Sequence, residues 1–330
     1  MTAISGILQI GSMLSDFKNL IEPVKILSVN ISEKKGTVKK PVDEIIIDSG
    51  GVVGDAHSGN WTRQISLLGK ESIDRFAQEA RREIAFGEFA ENITSVGLEL
   101  GQTLPLDRLA GRDVELEITQ IGKKCHGTNC SIFTEVGNCI MPTEGVFARV
   151  LQGGVLRPGD ELQYLPKVFR FHVITLSDRA SSGEYEDRSG PRIKTLLQEY
   201  FNKGKRRISF DHAIIPDNAS QLKDLVDKAV SSQADVIFTT GGTGIGRRDI
   251  TIRTIKPMLD QEIPGIMEKI RTHYGEKNPL ALLSCSVAGL IGDTLVYTLP
   301  GSVKAVNEYM PEILKTMEHL IYMRHGLDLH

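Results

Sequence analysis

The hydrophobic and polar positions follow two different patterns along the chain, and the change falls near residues 163–168. Before it, short apolar runs between glycine turns predict strands at residues 25–31, 42–47, 64–68, 114–120 and around 155–162, and one helix at 71–82. After it, the pattern predicts strands at 171–176, 208–215, 235–240 and 294–299, and amphipathic helices at 191–200 and 219–231. The first pattern is typical of a mostly β domain, and the second indicates a mostly parallel sheet covered by helices on both faces.

The chain of 330 residues exceeds what a single hydrophobic core usually organises. We therefore predict a two-domain protein, with a leader at residues 1–22, an N-terminal mostly-β, barrel-like domain at 23–166, and a C-terminal α/β domain at 167–330. The second domain is expected to have three layers, with a mostly parallel sheet in the middle.

The composition narrows the class of partner. A net charge of −3 gives no general attraction to nucleic acid or to an anionic membrane surface, so any anion site must be local. The sequence has no run of about 18 apolar residues and no basic, apolar signal segment at its start. We expect a cytoplasmic protein that acts on small molecules, with neither nucleic acid nor a membrane as its partner.

A glycine-rich loop follows the strand predicted at 235–240 and is the strongest chemical signal in the chain. It reads Gly241-Gly242-Thr243-Gly244 and then becomes basic and acidic at Arg248-Asp249. Glycines accept positive φ, so successive backbone amides can converge on phosphate oxygens, and Asp249 can hold a divalent cation against them. The loop lacks the spacing of a Walker A motif or a GxGxxG fingerprint. A glycine turn beneath a solvated charged run is the simpler alternative.

Polar residues also follow the other predicted strands of the second domain. Asp217 comes after the strand at 208–215, and Ser302 comes after the strand at 294–299. Ligands bind at the carboxyl ends of parallel strands, so Asp217 and Asp249 would face each other across one crevice and could hold Mg²⁺. Ser302 at a helix N-terminus would offer a second anion site. Alternatively, Asp217 and Ser302 serve only as helix N-caps.

Five motifs of the second half occur in an order typical of one family. They are Thr175-Leu176-Ser177-Asp178-Arg179-Ala180-Ser181, Tyr185-Glu186-Asp187, Pro216-Asp217, Gly241 to Gly244 with Arg248-Asp249, and Leu299-Pro300-Gly301-Ser302. From residue 169 to about 325, the chain resembles the MogA/MoaB-type molybdopterin adenylyltransferases and is similar to the G-domain of gephyrin. The resemblance implies that ATP and molybdopterin react in the presence of Mg²⁺, giving adenylylated molybdopterin and pyrophosphate.

The resemblance also implies roles for individual residues. Asp217 and Asp249 would be the catalytic acids that hold Mg²⁺, and Gly301 and Ser302 would bind the molybdopterin phosphate. The nucleotide side would consist of Ser177, Asp178, Arg179, Gly241, Gly242, Thr243, Gly244 and Arg248. Family members are generally trimers or larger, so we expect a homo-oligomer, a trimer or a hexamer, with molybdenum insertion or sulfuration enzymes as further partners.

The chain departs from the family pattern in three places. Ile252 stands where the family often has the proline of a Thr-Pro-Glu-Ala run. Two common arginines are also missing: Cys285 stands where the family tends to have the first, and residues 288–291, Ala-Gly-Leu-Ile, lack the second. A non-catalytic carrier or storage protein for molybdopterin or the molybdenum cofactor is therefore the alternative function. Retention of both Asp217 and Asp249 favours the enzyme, because a binding protein has little need of paired metal acids.

The first domain carries a cluster of its own, at residues 54–59, 63–68, 88–93 and 121–126. Over roughly residues 24–164 it resembles the MOSC domain, a family described as binding the molybdenum cofactor, with a cysteine as sulfur carrier or molybdenum ligand. The position that matches this cysteine is Cys125, and the resemblance adds His57, Arg63, Asn92 and His126 to the same site. Basic neighbours such as His126 would favour the thiolate, which is the nucleophilic and metal-binding form.

Other interpretations of these residues stay open. Cys125, His126, Cys130 and Cys139 could form a structural zinc site, although they lack a CxxC pair. The cysteines could also be buried, inert thiols, since four cysteines in 330 residues do not make a disulfide framework. His57 and Arg63 could be ordinary turn and surface residues.

Overall fold

The computed structural model describes residues 23–123 and 139–327. The chain divides into two compact units: the first runs to Lys167 and also includes Leu327, and the second is Val168–Gly326. The predicted leader at 1–22 lies outside the described residues. Within the part of the chain that the structure describes, no helix is both long enough and apolar enough to span a membrane.

The first unit consists mainly of short strands. Its elements are β1 (Val24–Ile31), β2 (Lys40–Val42), β3 (Ile45–Asp48), β4 (Gly51–Val52), β5 (Ile65–Gly69), α1 (Lys70–Ala80), β6 (Ile93–Val96), β7 (Arg108–Ala110), β8 (Glu115–Ile121), β9 (Val146–Gln152), β10 (Gly154–Leu156) and β11 (Glu161–Leu165). Helix α1 starts directly after β5 and buries Ile73 and Phe76. It ends at Arg81, whose left-handed backbone (φ 53°) lets its N–H donate to carbonyls of the last turn.

Seven of the described strands close into a barrel in the order β1, β6, β5, β9, β8, β7 and β11, and β11 pairs back to β1. Neighbouring strands are antiparallel except for the parallel pair β5 and β6. A separate three-stranded sheet contains β10, β3 and β4. The core is made of aliphatic side chains such as Ile26, Leu67 and Leu116, all fully buried, because alternate residues of a barrel strand point inward.

Two segments predicted as single strands each contain parts of two strands. Residues 42–47 include the end of β2, which pairs with β1, and the start of β3, which pairs with β10 in the other sheet. Around residues 155–162, β10 and β11 are separated by a turn in which Asp160 Oδ2 accepts a hydrogen bond from Arg157 N (2.7 Å). Apolar runs do not reveal such a change of sheet, because both strands bury side chains in the same core.

The second unit alternates strands and helices. Its elements are β12 (Val168–Leu176), α2 (Asp178–Ser181), α3 (Ser189–Lys203), β13 (Arg207–Ile215), α4 (Ala219–Ser231), β14 (Val236–Thr240), α5 (Thr251–Ile255), β15 (Gln261–Glu262), α6 (Pro264–Gly275), β16 (Ala288–Ile291), β17 (Thr294–Leu299) and α7 (Val303–Arg324). Short 3₁₀ helices at Lys256–Met258 and Pro279–Leu283 complete it.

The sheet of the second unit has the order β13, β12, β14, β17, β16, β15. The first four strands are parallel. At one edge, β16 pairs antiparallel with β17, and β15 pairs antiparallel with β16. The two sides of β12 bury different helices: Phe171 packs on Phe201 of α3, whereas Ile174 shares a core with Leu222 of α4. The predicted fold class is confirmed: a mostly-β, barrel-like domain is followed by a three-layer α/β domain with a mostly parallel sheet.

Candidate functional site

Four parallel strands of the second unit end at the same edge of the sheet. The register pairs Leu176 with Ile215, and it pairs Thr240 with both Thr175 and Leu299. The loops that leave this edge carry Ser177, Asp178, Arg179, Asp217, Gly241, Gly242, Thr243, Gly244, Arg248, Asp249, Gly301 and Ser302. The sequence-predicted residues of the second domain therefore all follow the carboxyl ends of parallel strands, where α/β sheets bind their ligands.

The glycine loop (residues 241–244) depends on glycine for its conformation. Gly241 and Gly242 have φ of +103° and +61°, a region that side chains disfavour. A Cβ on Gly241 would collide with the carbonyl oxygen of Leu176, and one on Gly242 would lie 2.6 Å from Thr251 Oγ1. Thr251 Oγ1 also donates to Gly241 O (2.7 Å), so the loop is held firmly against the start of α5. Its backbone is thus fixed close to the strand ends.

Asp217 and Asp249 lie against different parts of this loop. Asp249 Oδ2 accepts a hydrogen bond from Gly246 N (2.7 Å), and a Cβ on Gly244 would meet the same oxygen at 2.7 Å. Asp217 Oδ1 would lie 3.5 Å from a Cβ on Gly242. The half-buried Asp217 donates its backbone N–H to Asp178 Oδ1 (3.0 Å). Asp217 and Asp249 therefore lie against the loop, and Asp178 contacts the backbone of Asp217.

The electrostatics of this group favour a bound cation. Burial raises the pKa of Asp217 above its ordinary value, and the charges of Asp178 and Asp249 raise that pKa further, while Arg248 opposes them. The donor set consists of carboxylate oxygens, which Mg²⁺ prefers. No group of three or more His, Cys, Asp or Glu side chains within residues 23–123 and 139–327 is arranged as a metal site. Asp217 and Asp249 supply two carboxylates, and Mg²⁺ is often held by one or two protein carboxylates together with substrate phosphates.

Two cavities open at this edge of the second unit. The first has a volume of about 530 Å³, is lined by Thr175, Ser177, Arg179, Tyr185 and Asp187 among others, and is called the Arg179 cavity below. The second has a volume of about 400 Å³ and is called the Leu280 cavity; its walls include Thr243, Asp249, Asn278, Leu280, Leu283 and Lys304. Both cavities are bounded by Gly301 and Ser302.

Ser302 caps helix α7, as the sequence allows. Its Oγ accepts a hydrogen bond from Ala305 N (3.1 Å), and the helix that it starts is 22 residues long. Unpaired amides and the helix dipole at this end favour an anion. The reading of Asp217 as an N-cap is wrong: the cap of α4 is Asn218, whose Oδ1 accepts from Gln221 N (3.0 Å). Asp217 is left facing the glycine loop.

The residues predicted for the nucleotide side are divided between the two cavities. Ser177 and Arg179 line the Arg179 cavity, whereas Gly242, Thr243 and Gly244 line the Leu280 cavity. Gly241 packs closely on the backbone of Leu176. Asp178 accepts a hydrogen bond from the backbone of Asp217. Arg248 is exposed, and its charge acts on Asp217. A nucleotide that contacted residues of both cavities would have to extend across Gly301 and Ser302, which border the two cavities.

Sequence reasoning gave no role to three residues at this site, although Thr175 and Asp187 lie within motifs that carry the resemblance. Thr175, Asp187 and His212 form one hydrogen-bonded cluster, and the first two line the Arg179 cavity. Asp187 stands two residues before the start of α3, which is a helix-start signal visible in the sequence. His212 lies within β13, where no local motif marks it.

The predicted residues of the first unit occupy different environments. Asn92 is 1% exposed, and its side chain is used internally: Nδ2 donates to Asn30 O (3.3 Å) and Oδ1 accepts from Ser66 Oγ (3.0 Å). The half-buried His57 donates its backbone N–H to Asp55 Oδ1 (2.9 Å). The guanidinium of Arg63 lies 5.1 Å from the centre of the Trp61 ring. Asn92 thus joins strands, while His57 and Arg63 remain partly accessible.

A buried ion pair lies beside His57. Lys39 Nζ is 2.5 Å from Asp55 Oδ2, and both side chains are 1% exposed. Burial acts to raise the pKa of Asp55, but hydrogen bonds from His57 and Lys39 outweigh it and hold the pKa below its ordinary value. Glu91, fully buried, is within electrostatic range of Lys39, and burial raises its pKa.

The other predicted residues of the first unit, Cys125 and His126, lie outside the described residues. The same holds for Cys130 of the alternative zinc site. Cys139 is described, and it packs against an apolar cluster that includes Ile140 and Met141.

Comparisons with known proteins divide the chain in the same two parts. A family model described as a probable molybdopterin binding domain matches residues 172–319, and a MOSC domain model matches residues 54–163. The molybdopterin adenylyltransferase of Pyrococcus furiosus is 38% identical over 161 residues, which are 47% of this chain and 91% of that protein. The molybdenum cofactor biosynthesis protein B of Staphylococcus carnosus is 35% identical over 153 residues, 46% of this chain and 87% of its own.

Two further relatives match the same half. Gephyrin of Dictyostelium discoideum is 33% identical over 154 residues, which are 45% of this chain and 21% of gephyrin. A crystal structure titled as the tungsten cofactor synthesizing protein MoaB from Pyrococcus furiosus is 38% identical, with a TM-score of 0.42, and covers 49% of this chain and 99% of its own.

Proposed function

Because this chain belongs to the family of MogA/MoaB-type molybdopterin adenylyltransferases and also contains a MOSC domain, we propose that its second unit transfers AMP from ATP to molybdopterin. The observation that carries this proposal is the placement of Asp217 and Asp249 against one glycine loop, with the pKa of Asp217 raised by burial and by its acidic neighbours. Such a group gains from a divalent cation and from the phosphates that the cation brings.

In the proposed reaction, the terminal phosphate of molybdopterin attacks the α-phosphorus of ATP, and pyrophosphate leaves. Asp217 and Asp249 would hold Mg²⁺, whose chemistry when bound is to neutralise charge on the leaving pyrophosphate. The protein itself mainly positions the reactants: amides of the glycine loop and of the first turn of α7 donate to phosphate oxygens. Arg248 and Lys304 add positive charge at the edges of the site.

The two cavities suit two different substrates. Tyr185 is 50% exposed, and the Arg179 guanidinium lies 5.5 Å from its ring centre, so the Arg179 cavity offers a stacking surface for adenine. The Leu280 cavity combines apolar walls at Leu280 and Leu283 with the amide of Asn278, which suits a flat pterin. The edge that both cavities share, at Gly301 and Ser302, would bring the two phosphate groups together.

Turnover by the purified chain tests the proposal. The chain is incubated with ATP, Mg²⁺ and molybdopterin, and both pyrophosphate and adenylylated molybdopterin are measured. We expect equal amounts of the two products, and none when Mg²⁺ or molybdopterin is left out. Bound molybdopterin without any pyrophosphate release would contradict the enzyme and leave the carrier or storage function, which the missing arginines at Cys285 and within residues 288–291 motivate.

Steady-state kinetics test which substrate each cavity takes. Arg179→Ala should raise the KM for ATP about tenfold, roughly the loss of one charged contact, and leave the KM for molybdopterin near wild type. Leu283→Ala should do the reverse. The opposite pattern would exchange the two cavities.

For the first unit, we propose that the MOSC domain binds the molybdenum cofactor or carries sulfur on Cys125. The family match and the partly accessible His57 and Arg63 support this role. Cys125→Ala should leave pyrophosphate release unchanged and lower the molybdenum that remains with the purified chain, measured by mass spectrometry. An unchanged molybdenum content would contradict the assignment.

We also propose that the protein works in the cytoplasm as a trimer or hexamer, alongside enzymes that insert molybdenum or add sulfur. The general assembly of its family supports the oligomer. Light scattering of the purified chain tests it, and a monomer at micromolar concentration would contradict it.

A further inference from the structure

Asp187 forms hydrogen bonds to three separate parts of the second unit. Its Oδ1 accepts from Ser189 N and Ser189 Oγ (2.9 Å each) and from Gly190 N (3.2 Å), at the start of α3. Its Oδ2 accepts from Thr175 Oγ1 of β12 (2.7 Å) and lies 3.2 Å from His212 Nε2 of β13. The side chain is 4% exposed. Asp187 therefore joins the loop before α3 to two strands of the sheet.

The distances assign the hydrogens of this cluster. Thr175 has a single hydroxyl hydrogen, and it donates this hydrogen to Asp187. His212 Nε2 lies 3.1 Å from the same hydroxyl oxygen, so Nε2 carries a hydrogen and donates it. Burial acts to raise the pKa of Asp187, but hydrogen bonds from His212, Thr175 and Ser189 outweigh it and hold the pKa below its ordinary range. Asp187 is thus an ionised carboxylate whose acceptor capacity is used within the fold.

The start of α3 packs directly on this cluster. A Cβ on Gly190 would lie 2.6 Å from Asp187 Oδ2 and would collide with His212 Nε2. Only glycine fits here. Holding the backbone amides at the start of α3 requires only Asp187 Oδ1. The contacts of Oδ2 with Thr175 and His212 are additional. Thr175 and Asp187 line the Arg179 cavity.

The segment between Ser177 and Asp187 carries the exposed part of that cavity. At its beginning, Ser177 N donates to Ile215 O (2.9 Å), and Ser177 Oγ caps α2. In its middle, Tyr185 N donates to Arg179 O (3.2 Å), which keeps the two side chains together. Its end is held by Asp187. Arg179 and Tyr185 are exposed, so their position depends on these anchors.

Building on the proposed function, we propose that Asp187 is a positioning residue for ATP. Held by Thr175 and His212, it fixes the segment that presents Arg179 and Tyr185, and so it sets the affinity of the Arg179 cavity for the nucleotide. Asp187 itself does not contact the reacting atoms.

The same two strands offer a matched control. His172 of β12 has its Nε2 3.2 Å from Asp211 Oδ2 of β13, the same atoms and spacing as in the pair of His212 and Asp187. Neither His172 nor Asp211 lines a described cavity. Asp211 is 71% exposed and Asp187 is 4% exposed, so His172→Leu removes a histidine–aspartate contact from the same strands without touching the buried loop before α3.

The test measures equilibrium binding of Mg²⁺–ATP and of molybdopterin, each by calorimetry, on the full chain. His212→Leu and Thr175→Val should each raise the Kd for ATP about tenfold, the effect of one lost bond to a charged group, and should match Arg179→Ala. His172→Leu should bind ATP as the wild type does. Thr175→Ser keeps the hydroxyl and should restore wild-type binding, and molybdopterin binding should stay unchanged in all variants. Thermal unfolding verifies that each variant is folded.

The outcomes separate this inference from the proposed function. Unchanged ATP binding in His212→Leu and Thr175→Val overturns the positioning role, as does an equal loss for both ligands or an equal effect of His172→Leu. A wild-type chain that binds ATP without releasing pyrophosphate overturns the proposed function and still allows the binding comparison. A wild-type chain that binds no ATP overturns both.

Discussion

Asp55 of the first unit and Asp217 of the second have opposite electrostatic surroundings. Burial acts to raise the pKa of both carboxyls. At Asp55, hydrogen bonds from His57 and Lys39 outweigh burial, and the pKa is held below its ordinary value. At Asp217, the nearest charges belong to Asp178 and Asp249, and they raise the pKa further. The fold therefore stabilises the ionised form of Asp55 and disfavours the ionised form of Asp217.

The difference separates a carboxylate that is neutralised within the fold from one that the proposed function assigns to a cation. Lys39 neutralises Asp55 within the barrel unit, so that pair needs no ligand. Asp217 makes no ion pair with any described residue, and a cation bound between it and Asp249 would remove their repulsion. Asp217, whose surroundings disfavour its charge, is therefore a better candidate for a functional residue than Asp55, although Asp217 is the less buried of the two.

Removing the partner of Asp55 should have the largest effect on stability. Lys39→Met leaves the buried Asp55 carboxylate without its lysine partner and should lower the free energy of unfolding by about 3–5 kcal/mol. Lys70→Met is the control, because Lys70 Nζ lies at the same 2.5 Å from Asp74 Oδ2, but the side chains are 40% and 51% exposed. That change should cost less than about 1 kcal/mol. Urea unfolding measures both, and equal losses would contradict the contrast in burial.

The pH dependence of the same variant checks the cause. Because the pKa of Asp55 is lowered in the folded protein, its stabilising contribution is complete above the unfolded value of about 3.9 and is lost as the pH falls through the folded pKa. In Lys39→Met the carboxyl protonates at higher pH. The stability difference from wild type should shrink steadily on acidification, whereas a difference independent of pH would point to lost packing instead of lost charge pairing.

Substitution of the second-unit acids should affect turnover and spare stability. Asp217→Asn and Asp249→Asn should each lower kcat on the order of 10³-fold, since several kcal/mol of metal-dependent stabilisation are lost. Asp217→Asn should leave the melting temperature unchanged or higher, because it removes a charge that its neighbours repel. Pyrophosphate release and thermal unfolding measure the two effects. Near wild-type turnover in either variant would contradict the assignment of the metal acids.

The sequence predicts those parts of this contrast that depend on local signals. Helix α4 and strand β17 have the predicted bounds, because the helical periodicity of α4 and the buried run of β17 both end there. The cap at Ser302 follows in the same way. The choice between Asp217 and Asn218 as the cap of α4 does not, because both side chains suit the position and only the backbone geometry decides.

Contacts between distant elements could not be predicted. His212 lies 37 residues from Thr175 in the sequence, and nothing around it in β13 marks a role. Lys39 and Asp55 are likewise joined only by the fold of the first unit. The predicted nucleotide residues are divided between two cavities that both border the start of α7. Local patterns mark where α7 starts in the sequence, but they do not give its position in space between the cavities.

The smallest expected effect, a shift in pH dependence, tests whether neighbouring charges set the state of Asp217. Asp178→Asn keeps an oxygen that can accept the hydrogen bond from Asp217 N but removes the charge. Burial still raises the pKa of Asp217, but less charge remains to raise it further, so the pKa should fall toward its ordinary value.

Because the proposed reaction needs ionised Asp217, the acid limb of the kcat/KM profile should move to lower pH by less than about one unit. Asp224→Asn, which removes an exposed charge from α4, should leave the limb in place. If both variants shift the limb equally, the net charge of the protein controls the titration, and not the charges of Asp178 and Asp249 beside Asp217. The contrast with Asp55 then loses its functional meaning.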